Sequence, residues 1–147
     1  MFALVLVSTL LNVALIYAVT YMAWDKSYGC FTRAAFNIMY PVLKVLGYTF
    51  IAGDIDKFKA WNTRLGHEAV NHIVYGSIRR LFSMCRLGDM VFRLYSGDEF
   101  IIAVRTNDTQ AVITHVAEAF AVEGMTITLV VIDWDIDTTM LKILENK

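Results

Sequence analysis

At 147 residues with a formal net charge of −1, the chain has the length of one domain and lacks the charge excess of a general nucleic-acid binder. Hydrophobic residues make up 57% and aromatics 13%, too much for intrinsic disorder, and the two cysteines, Cys30 and Cys85, are too few and too far apart for a disulfide scaffold. Charge is unevenly placed: none of the 13 Lys and Arg or 14 Asp and Glu residues precedes Asp25. An uncharged, lipid-compatible segment is joined to an ordinary soluble domain.

Residues 1–24, MFALVLVSTLLNVALIYAVTYMAW, read as a transmembrane helix. A helix of that length reaches roughly 36 Å, enough to cross a hydrocarbon core of about 30 Å. Tyr17, Tyr21 and Trp24 gather at its C-terminal end, where amphipathic rings favour the membrane interface. A cleaved signal peptide wants a basic start and a shorter apolar run, and both are missing. Lys26 and Arg33 follow the span and no cation precedes it, which places residues 25–147 on the cytoplasmic side. Ser8 and Asn12, and Ala14 and Ala18, share helix faces at a spacing that can pair two helices in lipid.

In chain order, apolar residues at three- and four-residue intervals predict a helix over 31–46, perturbed at Pro41. Tyr48 to Ala52 reads as a short buried strand ending in Asp54-Ile55-Asp56. Residues 56–86 read as helical with a break near Gly66. Met90–Leu94 and Phe100–Val104 form a hairpin around Tyr95-Ser96-Gly97-Asp98-Glu99. Asn107 or Asp108 caps a helix to about Val122, Met125–Ile132 is a last strand, and Thr138–Asn146 a short helix. The pattern is an α/β or α+β arrangement, helices covering a sheet with a central hairpin.

The carboxylates carry the chemistry. If the hairpin pairs beside the strand that ends near Asp54, then Asp54, Asp98 and Glu99 converge on one sheet edge. Converging carboxylates repel unless a cation sits between them, and hard oxygen donors select Mg²⁺, with Mn²⁺ as the alternative. Such a site can hold a nucleotide's phosphates and activate a hydroxyl for in-line attack. His67, His72 and His115 do not form a zinc set.

Taken together, these residues resemble the GGDEF domain of diguanylate cyclases over nearly all of 25–133. Asp54-Ile55-Asp56-Lys57-Phe58-Lys59, then Asn62, Gly66, His67 and Glu68, is similar to the family's DIDxFKxxNDxxGHxxGD segment. Ser96-Gly97-Asp98-Glu99-Phe100 resembles its signature hairpin, with Ser for the first Gly. Asp25, Gly29, Arg33 and Phe36 fall on its DxLTGLxNRRxF entry, Arg86 and Asp89 on its RxxD product-inhibition site, and Thr126-Ile127-Thr128 on its TxSxG strand.

The resemblance implies a palm-like sheet with a central hairpin flanked by helices, and condensation of two GTP into cyclic di-GMP by two facing domains, a homodimer. It implies Asp54, Asp98 and the Ile55 carbonyl as ligands of Mg²⁺, and Asp98 or Glu99 assisting deprotonation of the attacking 3′-hydroxyl. Lys59 would meet the terminal phosphates and Asn62 the guanine edge, with Phe58, His67 and Asn71 as further substrate contacts. With the span, it implies a protein of a bacterial-type inner membrane. The alternative is a module that binds GTP or cyclic dinucleotide without turnover.

Four departures stand out. Asn71 replaces the carboxylate that pairs with guanine N1 and N2, which weakens base selection or lets another purine in. One extra residue lies between Arg93 and Ser96, which predicts a bulged strand. Val130 stands for the Gly of TxSxG. The chain given stops at Lys147, short of the family's C-terminal helix, so Lys142 is the candidate substitute cation.

Overall fold

A computed structural model describes residues 2–95 and 97–132. Ser96, Lys142 and the helix expected over 138–146 lie outside the described residues. The elements are α1 (Phe2–Ala23), β1 (Trp24–Asp25), β2 (Cys30–Phe31), α2 (Arg33–Val45), β3 (Thr49–Ile55), α3 (Phe58–Leu65), α4 (His67–Met84), β4 (Met90–Arg93), β5 (Glu99–Val104), α5 (Thr109–Ala121) and β6 (Ile127–Ile132). They form a mixed α+β fold around a six-stranded sheet of order β1-β2-β4-β5-β3-β6.

Side-chain alternation divides the core into two layers. Ile51 and Ile55 of β3, with Phe100, Ile102 and Val104 of β5, pack against Val70, Val74, Ile78 and Leu81 of α4 and Val116 and Phe120 of α5. The residues between them, Phe50, Ala52, Ile101 and Ala103, pack against Ala35, Phe36 and Leu43 of α2. Both central strands are therefore covered on both faces, which explains their nearly unbroken apolar character.

Thr32 caps α2 by accepting from the Ala35 N–H at 3.3 Å, and its own hydroxyl donates to the Met22 carbonyl at 2.7 Å, tying α2 to the end of α1. Helix α2 runs through Pro41 without ending there. Asp108, one of the two expected caps, accepts from the Ala111 N–H at 3.0 Å and starts α5. In α1, Val5–Ala23 has a mean hydropathy of 1.9 and none of it is buried, so it is long and apolar enough to cross a membrane.

Three local expectations are corrected. Strand β3 extends to Ile55, so Asp54 lies within the strand rather than at its end; pairing with β5 on one side and β6 on the other carries it past Asp54. The hairpin does not bulge: Met90↔Ala103 through Arg93↔Phe100 is continuous, and the additional residue is taken up in the connecting turn. The two-residue strands β1 and β2, absent from the sequence reading, extend the sheet on the β4 side, where Phe31 pairs in parallel with Phe92.

Candidate active site

The β3–β5 pairing positions the acidic corner. It runs from Thr49↔Val104 to Asp54↔Glu99, so Asp54 stands directly across from Glu99, not Asp98. By alternation both lie on the face of Ala52 and Ile101, and Glu99 is buried at 7% exposure. The next link is through backbone: the Ile55 N–H donates to the Asp98 carbonyl at 2.9 Å, which locks the Asp-Ile-Asp segment to the hairpin turn. At the base of that turn the Leu94 N–H donates to the Glu99 carbonyl at 2.9 Å.

Beyond Ile55 the chain must reverse to begin α3. The Asp56 N–H donates to the Thr126 carbonyl at 2.9 Å, and Thr128 donates its hydroxyl to Asp56 Oδ1 at 2.7 Å. Lys57 then takes the left-handed conformation (φ 56°), uncommon for a residue with a Cβ, and turns the chain into α3. At the far end the Gly66 N–H closes onto the Asn62 carbonyl at 2.9 Å, and α4 starts at once with His67. This helix–break–helix unit faces the hairpin turn across a cleft of about 630 Å³.

Six of the residues singled out in the sequence line that cleft: Phe58, Lys59, Asn62, His67, Asn71 and Asp98. Asp54, Ile55 and Glu99 are not among its lining residues; the bond from the Ile55 N–H to the Asp98 carbonyl ties their strands to the turn at its edge. The arrangement thus has a mostly amide and aromatic wall on α3 and α4, a cation at Lys59, and an acidic corner at the hairpin. Among the described residues, no three His, Cys, Asp or Glu side chains form a metal-holding group. The corner instead offers the Asp54–Glu99 pair beside the hairpin turn, oxygen donors of the kind a hard cation takes when phosphates and water complete its shell.

Tyr28, Thr63 and Arg93 also line the cleft and escaped the sequence reading. Arg93 pairs with Asp25 at 2.6 Å and lies over the Tyr28 ring at 4.1 Å from its centroid. Burial raises the Tyr28 hydroxyl pKa above its ordinary value, the Arg93 charge working against it. Gly97 (φ 93°) fits beneath this unit because a Cβ there would approach Arg93 Nη2 to 2.8 Å and the Tyr28 hydroxyl to 3.3 Å. The available signal was Asp25 at the entry motif and Arg93 ahead of the hairpin, which the sheet joins across 68 positions.

Arg86 and Asp89 lie on the α4–β4 turn and do not line the cleft. Asp89 Oδ2 accepts from the Arg86 N–H at 2.9 Å and the Asp89 N–H donates back to the Arg86 carbonyl at 3.1 Å. The two residues thus close a polar turn on themselves.

Comparison with known proteins agrees with this fold. The family model described as diguanylate cyclase, GGDEF domain, matches residues 44–135. The diguanylate cyclase VdcA of Vibrio cholerae is 36% identical over 81 residues, which cover 54% of this chain and 24% of that protein, so the likeness spans about a quarter of the relative's length. The diguanylate cyclase SiaD of Pseudomonas aeruginosa, solved with its activator SiaC, superposes with a TM-score of 0.66 at 18% identity, covering 97% of this chain and 62% of SiaD. The S helix-GGDEF-EAL portion of Vibrio cholerae LapD, solved bound to c-di-GMP, gives a TM-score of 0.70 at 17% identity over 92% of this chain and 35% of that one. At these identities the two structures speak for the fold; the family match, across more than half of the sequence, shows that the chain belongs to the GGDEF domain family of diguanylate cyclases.

Proposed function

We propose that the protein is a membrane-anchored nucleotidyltransferase of the diguanylate cyclase type, condensing two GTP molecules into cyclic di-GMP. The observation that carries the reading is the gathering of Phe58, Lys59, Asn62, His67, Asn71 and Asp98 around one cleft beside the Asp54–Glu99 pair. A cleft of about 630 Å³ lies in the range that takes a nucleotide-sized ligand.

In this reading each domain of a homodimer holds one GTP. Asn62, His67 and Asn71 hydrogen-bond the base and Phe58 supplies an apolar wall. Lys59 neutralises charge on the terminal phosphates as pyrophosphate leaves. A divalent cation, Mg²⁺ or Mn²⁺, held by Asp54, Asp98 and the Ile55 carbonyl, would supply charge neutralisation and acidify the attacking hydroxyl. The 3′-oxygen of one nucleotide bonds to the α-phosphorus of the other, the bond to pyrophosphate breaks, and the hydroxyl proton passes to Glu99 or Asp98. The same step in the opposite sense closes the ring.

Helix α1 would hold two copies at one membrane, with the catalytic domain on the cytoplasmic side, and raise their effective concentration for a reaction needing two facing sites. Incubating the full-length chain in lipid nanodiscs with GTP and Mg²⁺ tests the whole reading. Cyclic di-GMP is expected from the wild type and not from Asp98→Ala. Nucleotide binding without product would point instead to the binding module.

A further inference from the structure

We infer that the hairpin turn lies against the membrane surface, where Lys26 and Arg33 bind anionic lipid headgroups beside it. The inference rests on the membrane anchoring proposed above and adds the face of the domain that meets the lipid. Strand direction fixes that face. Strand β4 runs into the hairpin turn; β2 is parallel to β4 through Phe31↔Phe92, and β1 is antiparallel to β2 through Trp24↔Phe31. Ala23 therefore stands at the same end of the sheet as the turn. None of Val5–Ala23 is buried against the domain, so α1 leaves from that end. The Arg86–Asp89 turn, which precedes β4, is at the opposite end.

The contacts where α1 joins the domain are close. The Thr32 N–H donates to the Ala23 carbonyl at 2.8 Å and its hydroxyl to that of Met22 at 2.7 Å, which sets Arg33 beside the last turn of α1. The Arg33 guanidinium lies over the Tyr95 ring at 3.6 Å from its centroid, and the Lys26 ammonium lies over Tyr21 at 4.9 Å. Among the described residues neither cation pairs with a carboxylate. Tyr95, in the lengthened turn, is 50% exposed and Trp24 41%. Exposed rings at the end of an apolar span settle at headgroup depth, and cations stacked on them reach lipid phosphates. The headgroup layer is about 5–7 Å deep, within the reach of one arginine side chain. Tyr95 precedes Asp98 by three positions, so a lipid that holds Arg33 over Tyr95 also holds the turn on which this cleft residue stands.

The test is hydrogen–deuterium exchange of the full-length chain in nanodiscs, either of phosphatidylcholine alone or of equal parts phosphatidylcholine and phosphatidylglycerol. Amides of the hairpin turn are expected to exchange about tenfold more slowly in the anionic discs, the effect of two cations at a charged surface, while those of the Arg86–Asp89 turn keep one rate in both. A Lys26→Gln, Arg33→Gln double variant is expected to lose that protection and to match the wild type in the neutral discs. Equal exchange of the turn in the two lipids, with the chain inserted, overturns the inference and leaves the anchor and the cyclase reading intact. Protection that persists in the folded double variant overturns it as well. A chain that the discs do not retain overturns the anchoring and the inference together. The wild-type comparison decides the matter even if the variant does not fold.

Discussion

The hairpin corner at Asp98 and the turn at Arg86–Asp89 are made of similar parts, an acidic residue following a glycine of positive φ (93° at Gly97, 101° at Gly88). They differ in which atoms hold them together. In the turn, Asp89 Oδ2 is occupied by the Arg86 N–H, and the Tyr48 hydroxyl closes on the Gly88 carbonyl at 3.1 Å. At the corner backbone bonds join Ile55 to Asp98 and Leu94 to Glu99, and Asp98 lines the cleft. The corner is tied through main-chain atoms and borders the cleft, whereas the turn is tied through a carboxylate and does not.

Substitutions can break or sharpen this contrast. The largest effect is expected at the corner: Asp98→Ala should lower cyclic di-GMP formation by about a hundredfold or more, while Asp89→Ala changes it by less than about threefold, both read by product chromatography. Next comes Asp25→Ala, which leaves the partly buried Arg93 without its carboxylate over Tyr28 and should cost about 1–3 kcal/mol in denaturant unfolding. Asp89→Ala is expected to cost about 1 kcal/mol or less in the same measurement, the share of one exposed turn bond. Relief of inhibition by added cyclic di-GMP in Arg86→Ala would give the turn a second role beyond closing itself.

The smallest effect concerns two thiols, one near each region. Burial pushes the Cys30 thiol up to about 12, with Asp25 adding to the rise, and burial with Asp89 pushes Cys85 up to about 11. Both exceed the ordinary value of 9.0, so the folded chain holds protons that the unfolded chain has lost. Their stabilising contribution is complete below pH 9 and is lost as the pH rises through 11 and then 12. Alkylation followed against pH should show Cys85 reacting before Cys30, and Asp89→Ala should lower the Cys85 midpoint while leaving that of Cys30 in place.

Much of this molecule is legible in its residues. The period-3.6 patterns of α2, α4 and α5, the hairpin spacing and the uncharged start each locate an element without tertiary help. The motif running from Asp54 to Asn71 located one side of the cleft, because the turn at Lys57 and the break at Gly66 keep Phe58, Asn62, His67 and Asn71 close in space as well as in sequence. Strands β1 and β2 left no such trace, since two residues are too short to establish an alternation. Arg93 and Tyr28 were missed for a different reason. Their roles arise from contacts across the sheet, where a salt bridge to Asp25 links positions 68 apart.

By itself the sequence determined that an apolar helix precedes an α+β domain, which family that domain belongs to, and which side chains have the chemistry for nucleotide work. Those properties reside in local periodicity and in residue identity. Only the tertiary structure decided that Asp54 faces Glu99, that the extra hairpin residue sits in the turn, and that Arg93 is held over Tyr28. Register and long-range pairing are chosen by packing of the whole sheet against α2 on one face and α4 and α5 on the other, and no single segment carries that choice.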